Sequence, residues 1–227
     1  MTLAAQGAGL IEWTIDWAWI ARHRGDIWDR LVEHVLLTVI AVTIGFAIAL
    51  VLSILAVRFR RTYRPITAAT SVLYTIPSIA VFPALVPFTG LSILTAEIGL
   101  VAYTLIMLVR NTVAALDAVP TDVREAAVGM GYSRARLLWE IELPLAVPVI
   151  VAGLRIATVT TVGLVTITGL IALGGLGHFI FDGLRRWFLT PLMVGTVLSF
   201  LLAVAFDGLL LGIERALTPW ARRGGAA

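Results

Sequence analysis

Charged residues are so widely spaced along this chain that the sequence divides into apolar blocks of membrane-crossing length. Leu31 to Val57 carries no formal charge except Glu33 near its beginning. In a helix, a block of that length reaches roughly 40 Å, enough to cross about 30 Å of hydrocarbon with some tilt. Ile66 to Phe88, Leu91 or Ile93 to about Leu116, Leu145 to about Leu176, and Pro191 to Ile213 form four more such blocks. The pattern predicts an all-α polytopic bundle with about five transmembrane helices. A six-span alternative splits the Leu145–Leu176 block near Gly163.

Charge placement orients these spans. Arg58, Arg60, Arg61 and Arg64 follow the first block at once, and such clusters mark the cytoplasmic side of a membrane. The N-terminus is then outside, the loop 117–144 is cytoplasmic, and Arg215, Arg222 and Arg223 close the chain in the cytoplasm. Six spans would place those last three arginines outside, whereas five spans leave Arg185 and Arg186 outside. The predicted organisation is an N-terminal interfacial segment over 1–30, a transmembrane domain over 31–214 and a cytoplasmic tail over 215–227. The first segment contains Glu12, Asp16 and tryptophans at 13, 17, 19 and 28, which does not fit a signal peptide. Leu10, Ile11, Thr14, Trp17, Ala18 and Ala21 recur at helical spacing, predicting a helix along the outer surface. A loosely ordered tail is the alternative.

Composition narrows the chemistry. Hydrophobic residues make up 59% of the chain and charged residues 14%, with mean hydropathy +0.98, against about a quarter charged in soluble domains. All seventeen basic residues are arginine. A phosphate-binding loop of the Gly-x-x-x-x-Gly-Lys-Ser/Thr type needs a lysine, so ATP hydrolysis would have to come from a partner. There is no cysteine, and His23, His34 and His178 lack metal-ligand spacing. No paired acid and base or activated nucleophile stands out, so neither an enzyme nor a cofactor site is expected here. An ion-gradient-driven secondary transporter would usually show ionisable residues at mid-membrane and an inverted repeat. Neither is visible, and no nucleic-acid partner is expected.

The most specific motif lies in the loop 117–144. Glu125, Ala126 and Ala127 are followed by Gly131 and then by Ile141-Glu142-Leu143-Pro144. The alanines favour helix, Gly131 permits a turn or a close approach, and Pro144 suits the start of a new helix. The order E-A-A-x-x-x-G-x9-I-x-L-P resembles the cytoplasmic coupling loop of permease subunits in ATP-binding-cassette importers. Thr75-Ile76-Pro77-Ser78-Ile79-Ala80, Arg110-Asn111-Thr112, Gly129-Met130-Gly131, Glu142-Leu143-Pro144 and Gly174-Gly175-Leu176-Gly177 are similar to the osmoprotectant branch, which serves glycine betaine, choline and carnitine. Methionine-type permeases are the nearest rival. The resemblance spans about Leu31 to Glu214 and implies the type I importer fold. It also implies two ATPase subunits docked at Glu125, Ala126, Ala127, Gly131, Ile141, Leu143 and Pro144, with ATP and magnesium held by the ATPases. A second permease subunit, identical or not, and an extracytoplasmic binding protein complete the implied assembly in a bacterial inner membrane.

Two further patterns concern the transport path. Pro77, Pro83 and Pro87 punctuate the second block, and a proline-broken helix is tolerated at membrane depth where packing or water satisfies its carbonyls. Thr67, Ser71, Tyr74 and Ser78 fall on one helical face there, and Thr158, Thr161 and Thr168 form a second polar series. These series are expected to line a path; hydroxyls bonded to helix carbonyls are the alternative. Arg155 and Asp207 lie at matching depths inside spans, roughly 10 Å from the cytoplasmic boundary, and are expected to pair, because an unpaired charge there costs at least ~2.5 kcal/mol. Snorkelling of Arg155 is the competing reading.

Overall fold

The computed structural model describes residues 14–219, and every regular element among them is helical. Asp16 caps the first helix, α1 (Trp17–Arg22), by accepting the Trp19 N–H at 2.9 Å. His23 separates it from α2 (Arg24–Arg58), a 35-residue helix that begins seven positions before the predicted Leu31. Among the described residues the predicted surface helix corresponds to α1; its Leu10 and Ile11 lie outside them, as do Arg222 and Arg223.

α3 (Arg60–Thr75) and α4 (Ser78–Thr89) meet at a 95° bend. The second block, expected as one span punctuated by prolines, is thus a sharply bent helix pair. Of the three prolines only Pro77 breaks the helix; Pro83 and Pro87 lie within α4. The carbonyl of Ile76, exposed by the break, receives the Tyr103 hydroxyl, which meets the membrane requirement that freed backbone groups find partners.

α5 (Ile93–Asp117) starts at Ser92, whose hydroxyl accepts the Thr95 N–H, and becomes the most enclosed helix, packed between α2 and α8 (Leu143–Ile167). The packing relies on small residues, as expected where lipid gives no hydrophobic drive between helices. A Cβ at Gly45 of α2 would fall 2.1 Å from Thr104 Oγ1 of α5. One apolar cluster joins Leu37, Phe82, Leu100 and Val165, and another joins Ala49, Leu108, Val113 and Ala157.

The chain from Arg134 to Ile171 is helical without a break. It comprises α7 (Arg134–Leu137), a π-helical turn at Leu138–Glu142, α8 and a 3-10 turn at Thr168–Ile171. Passage straight through Gly163 overturns the six-span alternative. Pro144 therefore falls in the first turn of α8, as expected, but that helix continues the preceding π turn without a break. The proline has no N–H for the carbonyl four residues back, and the widened π turn just before it accommodates that loss. A turn at Gly174 and Gly175, both at positive φ, leads to α9 (Gly177–Arg186) and then to α10 (Leu189–Leu217).

Among the described residues, four helical stretches are long and apolar enough to cross a membrane: Arg24–Arg58, Ile93–Asp117, Arg134–Ile171 and Leu189–Leu217. The bent α3–α4 pair makes a fifth if it counts as one span.

Candidate functional site

At one end of the bundle the chain leaves α5 and forms α6 (Thr121–Gly129), the helix that carries the E-A-A motif. Its C-terminus is closed by a Schellman arrangement. Tyr132 N–H bonds back to the Ala127 carbonyl at 3.1 Å and Gly131 N–H to the Val128 carbonyl at 2.9 Å. Gly131 sits at φ +84°, and a Cβ there would meet nothing within 4 Å. Glycine is thus required by the turn, not by close approach to another part of this chain.

Ala127 is buried, while Glu125 and Ala126 are exposed. Val128 is 59% exposed, Met130 70% and Trp139 62%, so this end presents apolar side chains to its surroundings. Single exposed apolar residues are ordinary, but several within one loop fit a protein contact. The motif did not single out these three residues. Ile141, Leu143 and Pro144 are half-buried where the π turn meets α8. Leu143 packs beside Ala115, Leu116, Ala146 and Ile150, so it serves the root of the loop.

The two expected polar series fare differently. Thr67, Ser71 and Tyr74 share α3, but Ser78 begins α4 beyond the bend, so the four do not form one face. Thr67 bonds to the Tyr63 carbonyl at 2.8 Å, Ser71 receives the Arg110 guanidinium at 3.2 Å, and Tyr74 lies edge-on to Tyr103. Pro77 marks the bend. Thr158, Thr161 and Thr168 are buried, with hydroxyls bonded to the carbonyls of Leu154, Ala157 and Val165 at 2.7–2.8 Å. Thr168 also lies past the end of α8, in the 3-10 turn. These three threonines fit the alternative of hydroxyls satisfied by helix carbonyls.

Arg155 and Asp207 are brought together. Arg155 Nε donates to Asp207 Oδ1 at 2.9 Å and Nη2 to Oδ2 at 3.0 Å, a two-pronged contact between α8 and α10. Glu214, two helical turns beyond Asp207, accepts from Arg155 Nη1 at 3.3 Å. The sequence reading missed this third member, although its i+7 spacing from Asp207 put it on the same face of α10. The Arg155–Asp207 contact borders an open groove of about 640 Å³ between α8 and α10, walled also by Ile156, Val159, Phe200 and Val204.

At the opposite end, α1, the start of α2 and α9 enclose a polar pocket of about 480 Å³. Trp19 stacks on His23 there with centroids 4.2 Å apart, and Asp26, Glu33 and His178 face the space. Burial, and the nearby Arg30, hold the His178 imidazole below its usual range. Among the described residues, no group of three or more His, Asp or Glu side chains is placed to hold a metal ion.

Comparison with known proteins agrees with this architecture. The chain is 35% identical over 192 residues to the osmoprotectant import permease protein OsmW of Salmonella typhimurium, covering 82% of this chain and 89% of that one. It is 32% identical over 195 residues to the choline transport system permease protein OpuBB of Bacillus subtilis (86% and 90%). It is 33% identical over 191 residues to the carnitine transport permease protein OpuCB of Listeria monocytogenes (84% and 88%). In fold it matches an inward-facing structure of the MetNI methionine ABC transporter with TM-score 0.77 at 23% identity, over 87% of this chain and 98% of that one. Residues 41–219 match one family model throughout, and the chain belongs to that family, the binding-protein-dependent transport system inner membrane components.

Proposed function

We propose that this chain is the permease subunit of an ATP-binding-cassette importer for a small osmoprotectant of the quaternary amine class. The observation that carries the reading is the α6 end of the bundle. A short helix bearing the E-A-A motif projects Glu125, Ala126, Val128 and Met130 outward, closed by a turn that needs glycine at Gly131. Such a face suits docking of an ATPase subunit, which would bind the ATP and magnesium.

The end carrying α6 is then cytoplasmic, and the N-terminal end with its polar pocket faces outward. A separate binding protein delivers substrate there, and a second permease copy or a related chain completes the path. The groove between α8 and α10, and the exposed faces of α3 around Ser71 and Tyr74, are the surfaces from which that path is built. Arg155, Asp207 and Glu214 fix α10 against α8 beside it and act in structure or gating. Relatives that bear the names osmoprotectant, choline and carnitine permease support the substrate class.

The test is co-purification with an ATPase encoded beside this chain's gene, followed by reconstitution in liposomes. Hydrolysis stimulated by binding protein loaded with choline, betaine or carnitine supports the proposal. Stimulation by methionine alone would move the chain to the amino-acid class, and failure to retain any ATPase would overturn the assignment.

A further inference from the structure

We infer that Arg124 is the positioning residue that fastens the coupling helix to the bundle, so that α6, the end of α5 and the start of α8 move as one body. The inference rests on the reading of α6 as the ATPase-docking helix. Pro120 precedes α6 and the Met130–Gly131 turn follows it. Both are turn elements, so the backbone alone does not dictate how the helix sits on the spans. Ala127 supplies a buried methyl. Polar bonds do the rest, and they converge on Arg124.

Arg124 Nη2 donates to the Leu116 carbonyl at 2.6 Å. Leu116 lies in the last turn of α5, where carbonyls lack partners within the helix and the helix dipole is negative. The Val119 N–H also reaches that carbonyl, at 3.4 Å. Arg124 Nε also lies 2.7 Å from Glu142 Oε1, a contact with the geometry of an ion pair and not of an aligned hydrogen bond. Glu142 closes the π turn that leads into α8, within the continuous helix at the root of that span. The two side chains are only 26% and 13% exposed, so solvent screens the contact less than it does a surface pair.

One guanidinium therefore joins the negative end of α5 to an acid at the root of α8. Planar geometry with several fixed donors makes this possible, whereas an ammonium offers a single point. Both residues fall outside the fixed letters of the motif: Arg124 stands just before E-A-A, and Glu142 occupies the free position of I-x-L-P. Glu142 is also the last residue of the π turn, so the clamp grips the chain where its helical register changes. Without it, displacement of α6 by an ATPase could be absorbed by rotation about Pro120 and Gly131. With it, the displacement reaches both spans.

The experiment compares Arg124→Gln, Arg124→Lys, Glu142→Gln and the double Arg124→Gln/Glu142→Gln in the ATPase complex, reconstituted with loaded binding protein. The readouts are ATPase retention and substrate moved per ATP hydrolysed. Arg124→Gln is expected to retain the ATPase and its basal hydrolysis while transport per ATP falls at least about fivefold, the lower end of usual inter-site coupling. Arg124→Lys should restore only part of the loss. Glu142→Gln should lose less, because the Leu116 bond survives, and the double variant should be no worse than Arg124→Gln.

Full transport per ATP in Arg124→Gln overturns the inference, as do additive losses in the double variant. Loss of the ATPase from Arg124→Gln overturns it too, by making Arg124 an ATPase contact, and leaves the docking reading intact. If the unmodified chain retains no ATPase, the docking reading itself fails. Should Arg124→Gln not accumulate in the membrane, Arg124→Lys and Glu142→Gln decide, and unimpaired coupling in both overturns the clamp.

Discussion

Phe82 anchors the half-helix α4 against α5 by filling a notch at Gly99, and substitutions on the two sides of that contact should interact in a defined way. Phe82 is fully buried among Leu37, Ala96, Leu100 and Ile171. A Cβ at Gly99 would lie 2.5 Å from Phe82 Cε1 and 2.9 Å from Cδ1. Gly99→Ala must therefore push an enclosed ring back by roughly 1 Å, and such overpacking costs about 1–3 kcal/mol. Phe82→Ala removes the ring. In a bilayer the surrounding lipid is as apolar as the side chain, so little transfer energy is lost. The cavity remains: emptying about 100 Å³ at ~24 cal/mol per Å³ gives about 2.4 kcal/mol before relaxation. In the double variant the new methyl enters the space the ring has left, and the strain of Gly99→Ala disappears. The double loss should then be no larger than that of Phe82→Ala alone, a coupling of about 1–3 kcal/mol relative to the sum. Thermal unfolding of the purified protein in detergent reads this directly. At about 2–4 °C per kcal/mol for a chain of this size, Phe82→Ala should lower Tm by about 5–10 °C and the double variant by no more. A double-variant loss equal to the sum of the single losses would refute the notch.

Three more expectations follow from the same geometry. Because the chain has no cysteine, single cysteines at 26 and 182 should react with an impermeant reagent from outside, while those at 61 and 132 stay protected; the reverse pattern overturns the proposed orientation. Arg155→Gln should impair membrane accumulation or transport more than Asp207→Asn, because it leaves Asp207 and Glu214 without their shared cation, whereas Asp207→Asn leaves Arg155 paired with Glu214 at 3.3 Å. A harmless Arg155→Gln, or an Asp207→Asn that is worse, would show that the three charges do not act together. Gly131→Val forces a β-branched residue to φ +84°, a strain of order 1–3 kcal/mol, so the subunit should reach the membrane but retain less ATPase. Wild-type retention and transport would show that the turn is dispensable.

Elements that depend on neighbours in sequence were legible, and those that depend on neighbours in space were not. The third span, read as Leu91 or Ile93 to about Leu116, runs from Ile93 to Asp117, because hydropathy and the Ser92 cap are both local. The turn at Gly131 follows from the glycine itself. The three prolines at 77, 83 and 87 look equivalent in sequence, yet only Pro77 breaks the helix. The difference lies 27 residues away, in the Tyr103 hydroxyl that satisfies Ile76. Thr158 and Thr161 formed a plausible polar series, but a threonine can turn its hydroxyl onto a carbonyl of its own helix, and both do. Spacing alone cannot separate a water-facing hydroxyl from one satisfied in that way. The charges gave a stronger signal, because an intramembrane ion needs a partner. Matching depth could propose Asp207 for Arg155, yet it could not bound the number of partners. Glu214 sat one further repeat along the same face of α10, near the span's end, where a carboxylate passes for an ordinary boundary residue. Cost of burial thus reveals that a partner exists, and only packing reveals how many there are.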